Sequence, residues 1–107
     1  MAHPHVAHKV YFRPKAEADL AALYEYVAHR HGLEIASAYI DRIEAACMAL
    51  ETFPERGTRR DELLPGLRTF GFERSATMAF RVLKTRVEIV AIAYGGRNFE
   101  NELREEQ

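Results

Sequence analysis

The sequence predicts an α+β domain: an N-terminal strand, an antiparallel two-helix hairpin, and a three-stranded antiparallel meander on which the hairpin packs. Two observations carry that prediction. Apolar residues recur at helical spacing as far as residue 53, and they alternate or run together at strand spacing after residue 67. Between the two patterns lies a single linker, residues 53–68, punctuated by Pro54, Gly57, Pro65 and Gly66. One change of period across such a linker favours one helical layer followed by one sheet, β-α-α-β-β-β in chain order.

Residues 1–8, Met-Ala-His-Pro-His-Val-Ala-His, have no period and are expected to form a flexible extension. They hold three of the five histidines, but no second ligand cluster accompanies them, so no metal site is expected. Val10 and Phe12 flank Tyr11 in a short strand that stops before Pro14. Pro14 suits a first helical position, where its missing N–H would have had no partner.

Ala16, Leu20, Leu23 and Val27 fall on one face of a helix over 14–31, and Gly32 supplies its stop. Ala36, Ile40, Ile43, Cys47 and Leu50 repeat the stripe over 33–53, ending before Pro54, because a residue preceding proline disfavours helical geometry. These stripes are the expected core, and so short a connection predicts antiparallel packing. Tyr24, Tyr26 and Tyr39 flank the stripes and are expected to pack helix against sheet.

Three strands follow. Residues 67–73 set Arg68, Phe70 and Phe72 on one face, and residues 78–84 set Met78, Phe80 and Val82 against Ala79, Arg81 and Leu83. Residues 87–94 are nearly all apolar, as in a strand covered on both faces. Gly95-Gly96 ends the meander, the domain proper spans 9–98, and 99–107 is a polar, acidic tail.

The chain has 107 residues, 48% of them hydrophobic, which suits a single core. No apolar run approaches the ~20 residues of a membrane span, and nothing resembles a signal peptide. Cys47 is the sole cysteine, so no internal disulfide forms; a cytoplasmic location and a buried thiol are the expectations.

A net charge of −1 conceals a division along the chain. Residues 1–65 carry eight Lys/Arg against ten Asp/Glu, residues 66–98 six against two, and residues 99–107 one against four. A basic sheet half beside acidic segments suits an acidic partner. Its arginines are Arg56, Arg59 and Arg60 in the linker, Arg68 and Arg81 on strands, and Arg97 after the last strand. Such groups hold anions through paired N–H donors but do not exchange protons near neutral pH.

Cleaving an anion needs a separate acid and base. All five histidines lie at or before His31, outside the sheet half. Glu73, Lys84, Glu88 and Tyr94 remain as proton carriers, and their spacing commits none of them to a shared site. No phosphate-cradling glycine motif and no Ser/His/Asp order is present.

In this order, the segments 16–26, 54–57 and 61–68, then Phe80-Arg81-Val82 and 89–95 with Arg97, resemble the ParE branch of the RelE/ParE toxin superfamily over residues 9–98. The resemblance implies a small bacterial toxin of a type II toxin–antitoxin pair, without cofactor, held inactive in a hetero-oligomer by a cognate antitoxin that wraps it. ParE relatives act on DNA gyrase; RelE relatives cut messenger RNA on the ribosome. Arg68, Arg81 and Tyr94 stand at places comparable to RelE site residues, yet the lysine-rich helix-to-sheet joint of those nucleases is replaced by Arg56, Arg59 and Arg60. The favoured reading is therefore a non-catalytic gyrase inhibitor, with Arg56, Arg59, Arg60, Arg68, Arg81 and Arg97 binding target or antitoxin. The alternatives are a metal-free ribosome-dependent ribonuclease using Arg68, Arg81 and Tyr94, and a degenerate member that only binds its partner.

Overall fold

The computed structural model describes residues 8–95 and Leu103. Strand β1 (Lys9–Phe12) leads into helices α1 (Pro14–His31) and α2 (Leu33–Met48), joined by Gly32 alone. Strands β2 (Thr58–Arg59), β3 (Leu67–Phe72), β4 (Ala76–Val82) and β5 (Arg86–Tyr94) follow. They form one sheet in the order β1-β5-β4-β3-β2, in which β1 runs parallel to β5 and the other neighbours are antiparallel. The α+β architecture and the β3-β4-β5 meander are as the patterning predicts.

The departures lie at the joint. The second helix ends at Met48, not Phe53, and residues Ala49–Glu51 tighten into a 3-10 turn. That turn carries Leu50 into the core, while the Glu51 carbonyl accepts the His8 N–H at 3.2 Å, tying the joint to the start of β1. Phe53 is left exposed. The linker also contributes a strand that no periodicity could show, since β2 is two residues long and pairs Thr58 with Thr69 and Arg59 with Arg68. The intervening loop closes through Arg60 N–H to the Leu67 carbonyl (2.8 Å) and the Gly66 N–H to Asp61 Oδ1 (2.9 Å). Gly57 permits the pairing: its φ is +81°, and a Cβ there would sit 2.3 Å from the Thr69 carbonyl oxygen.

Helices and sheet enclose a core of Ala16, Leu23, Val27, Ala36, Ile43, Cys47 and Leu50 against Met78, Phe80, Val87, Ile89 and Ile92. Leu20 and Ile40, expected at its centre, are half-buried at its margin. β5 is buried from Val87 through Ala93, because it is covered on both faces. The outer cover is a second cluster in which Leu103 packs on Leu67, Ala79, Val90, Ala91 and Ala93. A register shift opposite Ala79/Phe80 supplies one extra β5 residue, so that consecutive Val90 and Ala91 both serve this outer cluster. The expectations for residues 1–7 and for Arg97, and all of the acidic tail but Leu103, lie outside the described residues.

Candidate functional site

The linker arginines gather at the β2–β3 end of the sheet. Arg59 stands directly opposite Arg68, and the Arg68 Nη1 donates to the Arg56 carbonyl at 3.5 Å. Arg56 lies over the Phe70 ring, 4.8 Å from its centroid. Carboxylates two residues on answer the other two: Arg59 bonds Asp61 (3.1 Å) and Arg60 bonds Glu62 (2.6 Å). The guanidinium hydrogen bonds help hold both carboxyls below the usual carboxylate range, with the Gly66 N–H the larger cause at Asp61. The net positive field of this edge therefore comes mainly from Arg56 and Arg68.

Arg68, Arg81 and Tyr94 are not brought together. Arg68 lies on the helix-facing side of β3 with Phe70, whereas Arg81, between Phe80 and Val82 of the core, points to the outer face. Tyr94 shares the inner side with Arg68, but Arg68 pairs with Phe80 and Tyr94 with Ala76, four residues along β4 and two strands apart. That offset corresponds to about 16 Å at sheet spacings, too far for one phosphate. The other proton carriers are scattered as well. Glu73 is held by Arg42 in a two-pronged pair (2.8 and 3.0 Å), Lys84 sits in the β4–β5 turn, and Glu88 is buried on the outer face. Among the described residues, no three His, Cys, Asp or Glu side chains converge as metal ligands.

Tyr94 instead closes an aromatic cluster at the open end of β5. Its ring lies 5.1 Å from Tyr26 and 6.3 Å from Tyr39, which in turn contacts Phe72 at 6.0 Å. The Tyr39 and Ser75 hydroxyls share a 2.5 Å hydrogen bond, and burial raises the Tyr39 pKa, so this phenol is a fixed neutral group and not a base. Tyr39 and half-buried Tyr24 pack as expected, and Tyr26 reaches the sheet through Tyr94 while its other side stays exposed beneath the Arg30 guanidinium, 4.5 Å away. Beside this cluster runs a groove of about 430 Å³ lined by Asp19, Ala22, Leu23, Tyr26, Ile92 and Tyr94. It lies where β1 ends opposite Ile89, and beyond that point the edge of β5 has no neighbouring strand among the described residues.

The outer face holds a group that the sequence reading did not assemble. Lys9 pairs with Arg86 and Tyr11 with Glu88 across β1–β5, and Arg81 pairs with Glu88 across β4–β5. Val10, Val87, Phe80 and Val82 point into the core, so all five of those side chains point outward. Arg13 reaches the same place, its Nη1 3.4 Å from Glu88 Oε1, while Arg86 Nη2 lies 2.9 Å from Glu88 Oε2. Lys9, Tyr11 and Arg13 lie more than seventy residues from Arg86 in sequence, and only the parallel β1–β5 pairing unites them.

Residues 10–99 match the family described as "ParE toxin of type II toxin-antitoxin system, parDE". The chain is similar to Toxin ParE3 of Caulobacter vibrioides, with 34% identity over 85 residues, 79% of this chain and 84% of that protein. Its fold is similar to a structure of the chromosomal ParDE toxin–antitoxin system of P. aeruginosa, with a TM-score of 0.73, 27% identity, and coverage of 84% of this chain and 98% of that one. The toxin–antitoxin complex RelBE2 of Mycobacterium tuberculosis shares the fold at a TM-score of 0.54 and 22% identity, over 84% of this chain and all of the matched one.

Proposed function

The chain belongs to the ParE toxin family of type II toxin–antitoxin systems, and from that premise we propose that it inhibits DNA gyrase by binding and is neutralised by a cognate antitoxin protein. The observation that carries the non-catalytic part is the separation of Arg68, Arg81 and Tyr94: two lie at distant points of one sheet face and the third on the other. Cleavage of RNA needs a base and an acid within hydrogen-bond reach of one phosphate, and the distance between these three residues supports a reading without one. What the chain does supply is docking surface. The aromatic groove beside the end of β5 fits an extended peptide, which gains side-chain pockets from Tyr26 and Tyr94. Arg56 and Arg68 at the far end of the sheet suit an acidic segment of the same partner or of the target.

The decisive experiment sets purified protein against two targets. Gyrase supercoiling should fall with added protein and recover when antitoxin is supplied, while ribosomes programmed with a message should leave that message intact. Prompt cleavage of the message with supercoiling unaffected overturns the reading in favour of the ribonuclease.

A further inference from the structure

We propose that the acidic C-terminal tail, residues 99–107, is held by charge as a strap across the outer face of the β1–β5–β4 corner, seated on Lys9, Arg13, Arg81 and Arg86. The strap is separate from the peptide groove and independent of the gyrase reading.

One residue of the tail is already fixed to this face. Leu103 is 1% exposed, packed on Leu67, Ala79, Val90, Ala91 and Ala93. The row of residues beside that seat belongs to the basic corner. Arg81 follows Ala79 by two positions on β4 and pairs with Leu67 of β3, while Glu88 precedes Val90 by two positions on β5. A two-residue step along a strand is about 7 Å, and each residue past Leu103 can advance up to about 3.5 Å when extended. Glu105 and Glu106 therefore come within side-chain reach of Arg81 and Arg86 while Leu103 keeps its place.

The charges of seat and strap match. Lys9, Arg13, Arg81 and Arg86 gather around one carboxylate among the described residues, that of buried Glu88, which Arg13 and Arg86 already hold. Four cations on one carboxylate leave a surplus of three positive charges. The tail carries Glu100, Glu102, Glu105 and Glu106 against Arg104 alone, an excess of three negative charges.

Charge also selects this direction over the opposite one. Leu63 and Leu64 border the Leu103 seat on the linker side, but the arginines there are already answered, Arg59 by Asp61 and Arg60 by Glu62. The cations still without a counter-charge lie toward Arg81 and Arg86. Exposed ion pairs are individually weak and screened by salt. The strap therefore lifts as ionic strength rises, or when a more highly charged anion competes for the corner, while the Leu103 contact retains the tail on the sheet.

The test is paramagnetic broadening of backbone amide signals in the full chain carrying Gln107→Cys, with a nitroxide on the new thiol. Cys47 is fully buried and stays unlabelled. Broadening should be strongest at Lys9, Tyr11, Arg86 and Glu88 and weaker around Arg59 and Arg60. It should fade as salt rises from about 0.05 M to about 0.5 M, over which the screening length shortens about threefold. Glu105→Lys combined with Glu106→Lys should remove most of it, and Lys9→Glu, at an exposed position, should weaken it, both with unchanged thermal melts. Broadening centred on the linker arginines, or indifferent to salt and to the paired Glu→Lys change, would overturn the proposal. So would broadening that arises only between labelled and unlabelled copies, which would assign the corner to the tail of a second copy.

Discussion

Asp19, one turn into α1, accepts the backbone N–H of Ile92 on β5 at 2.8 Å, across 73 positions of sequence. β1 makes its last pair with Ile89, so this N–H would otherwise face the groove without a strand partner. Lys15, one helical turn earlier, holds the same carboxylate at 3.1 Å. The helix thus satisfies one backbone donor of a sheet edge that the first strand leaves incomplete.

Removing that acceptor should be felt locally and globally. Asp19→Ala is expected to cost about 1–3 kcal/mol, the penalty for a part-buried donor without a partner. Urea unfolding gives the magnitude, and native-state hydrogen exchange should accelerate most at Ile92. Unchanged exchange there would mean that water or a shifted strand replaces the carboxylate.

The Arg42–Glu73 pair joins α2 to the β3–β4 turn and sets a direction for acid unfolding. The Arg42 hydrogen bonds lower the Glu73 pKa from its usual 4.5, so the folded state holds this proton less readily than the unfolded chain does. The stabilisation is present above pH 4.5 and is lost as pH falls through the depressed folded value. Glu73→Gln should melt below the parent at neutral pH, and the two curves should converge in acid. A constant gap from pH 7 to pH 2 would contradict the linkage.

Cys47 should behave as a core residue and not as a thiol. Its side chain is fully buried, and burial pushes its pKa up to about 12. Thiolate is the reactive form, so labelling by a thiol reagent at pH 8 should follow global unfolding, with a rate that rises with urea. Rapid labelling of folded protein would refute the packing.

Gly57→Ala should be among the more damaging single-methyl changes. The new Cβ would lie 2.3 Å from the Thr69 carbonyl oxygen, and the residue would keep a left-handed φ of +81°. Strain of the left-handed conformation alone is about 1–2 kcal/mol, and the clash falls on backbone that cannot move without breaking the β2–β3 pairs. A melt within about half a kcal/mol of the parent would show that β2 is dispensable.

Much of the layer structure was legible because burial imposes periodicity. The inward positions Phe70, Met78, Phe80 and Val82 follow from alternation alone, as do the helical stripes. β2 was not legible, since two residues establish no period and its existence depends on the closure of residues 60–67. The retreat of the second helix from Phe53 to Met48 goes with a 3-10 turn whose Glu51 carbonyl is bonded to His8, a tertiary contact that no local propensity encodes. The site divides in the same way. The linker arginines were visible as a cluster, but their local neutralisation by Asp61 and Glu62 depends on the turn geometry. The outer-face group escaped notice because strand parity put Arg81 outward, while its companions come from the other end of the chain.

The parallel pairing of β1 with β5 also governs the order in which the molecule comes into being. Lys9 cannot meet Arg86 until 86 of the 107 residues have been made. Contacts so distant in sequence form late and slow the search for the native state. Until then the helical hairpin must carry its apolar stripe without the strand β5 that helps bury it, a condition that invites association with whatever complementary chain is at hand. A ribosome that stalls or terminates before β5 therefore releases no folded sheet, no open β5 edge and no assembled basic face, so surfaces built on that sheet arise only from nearly complete chains.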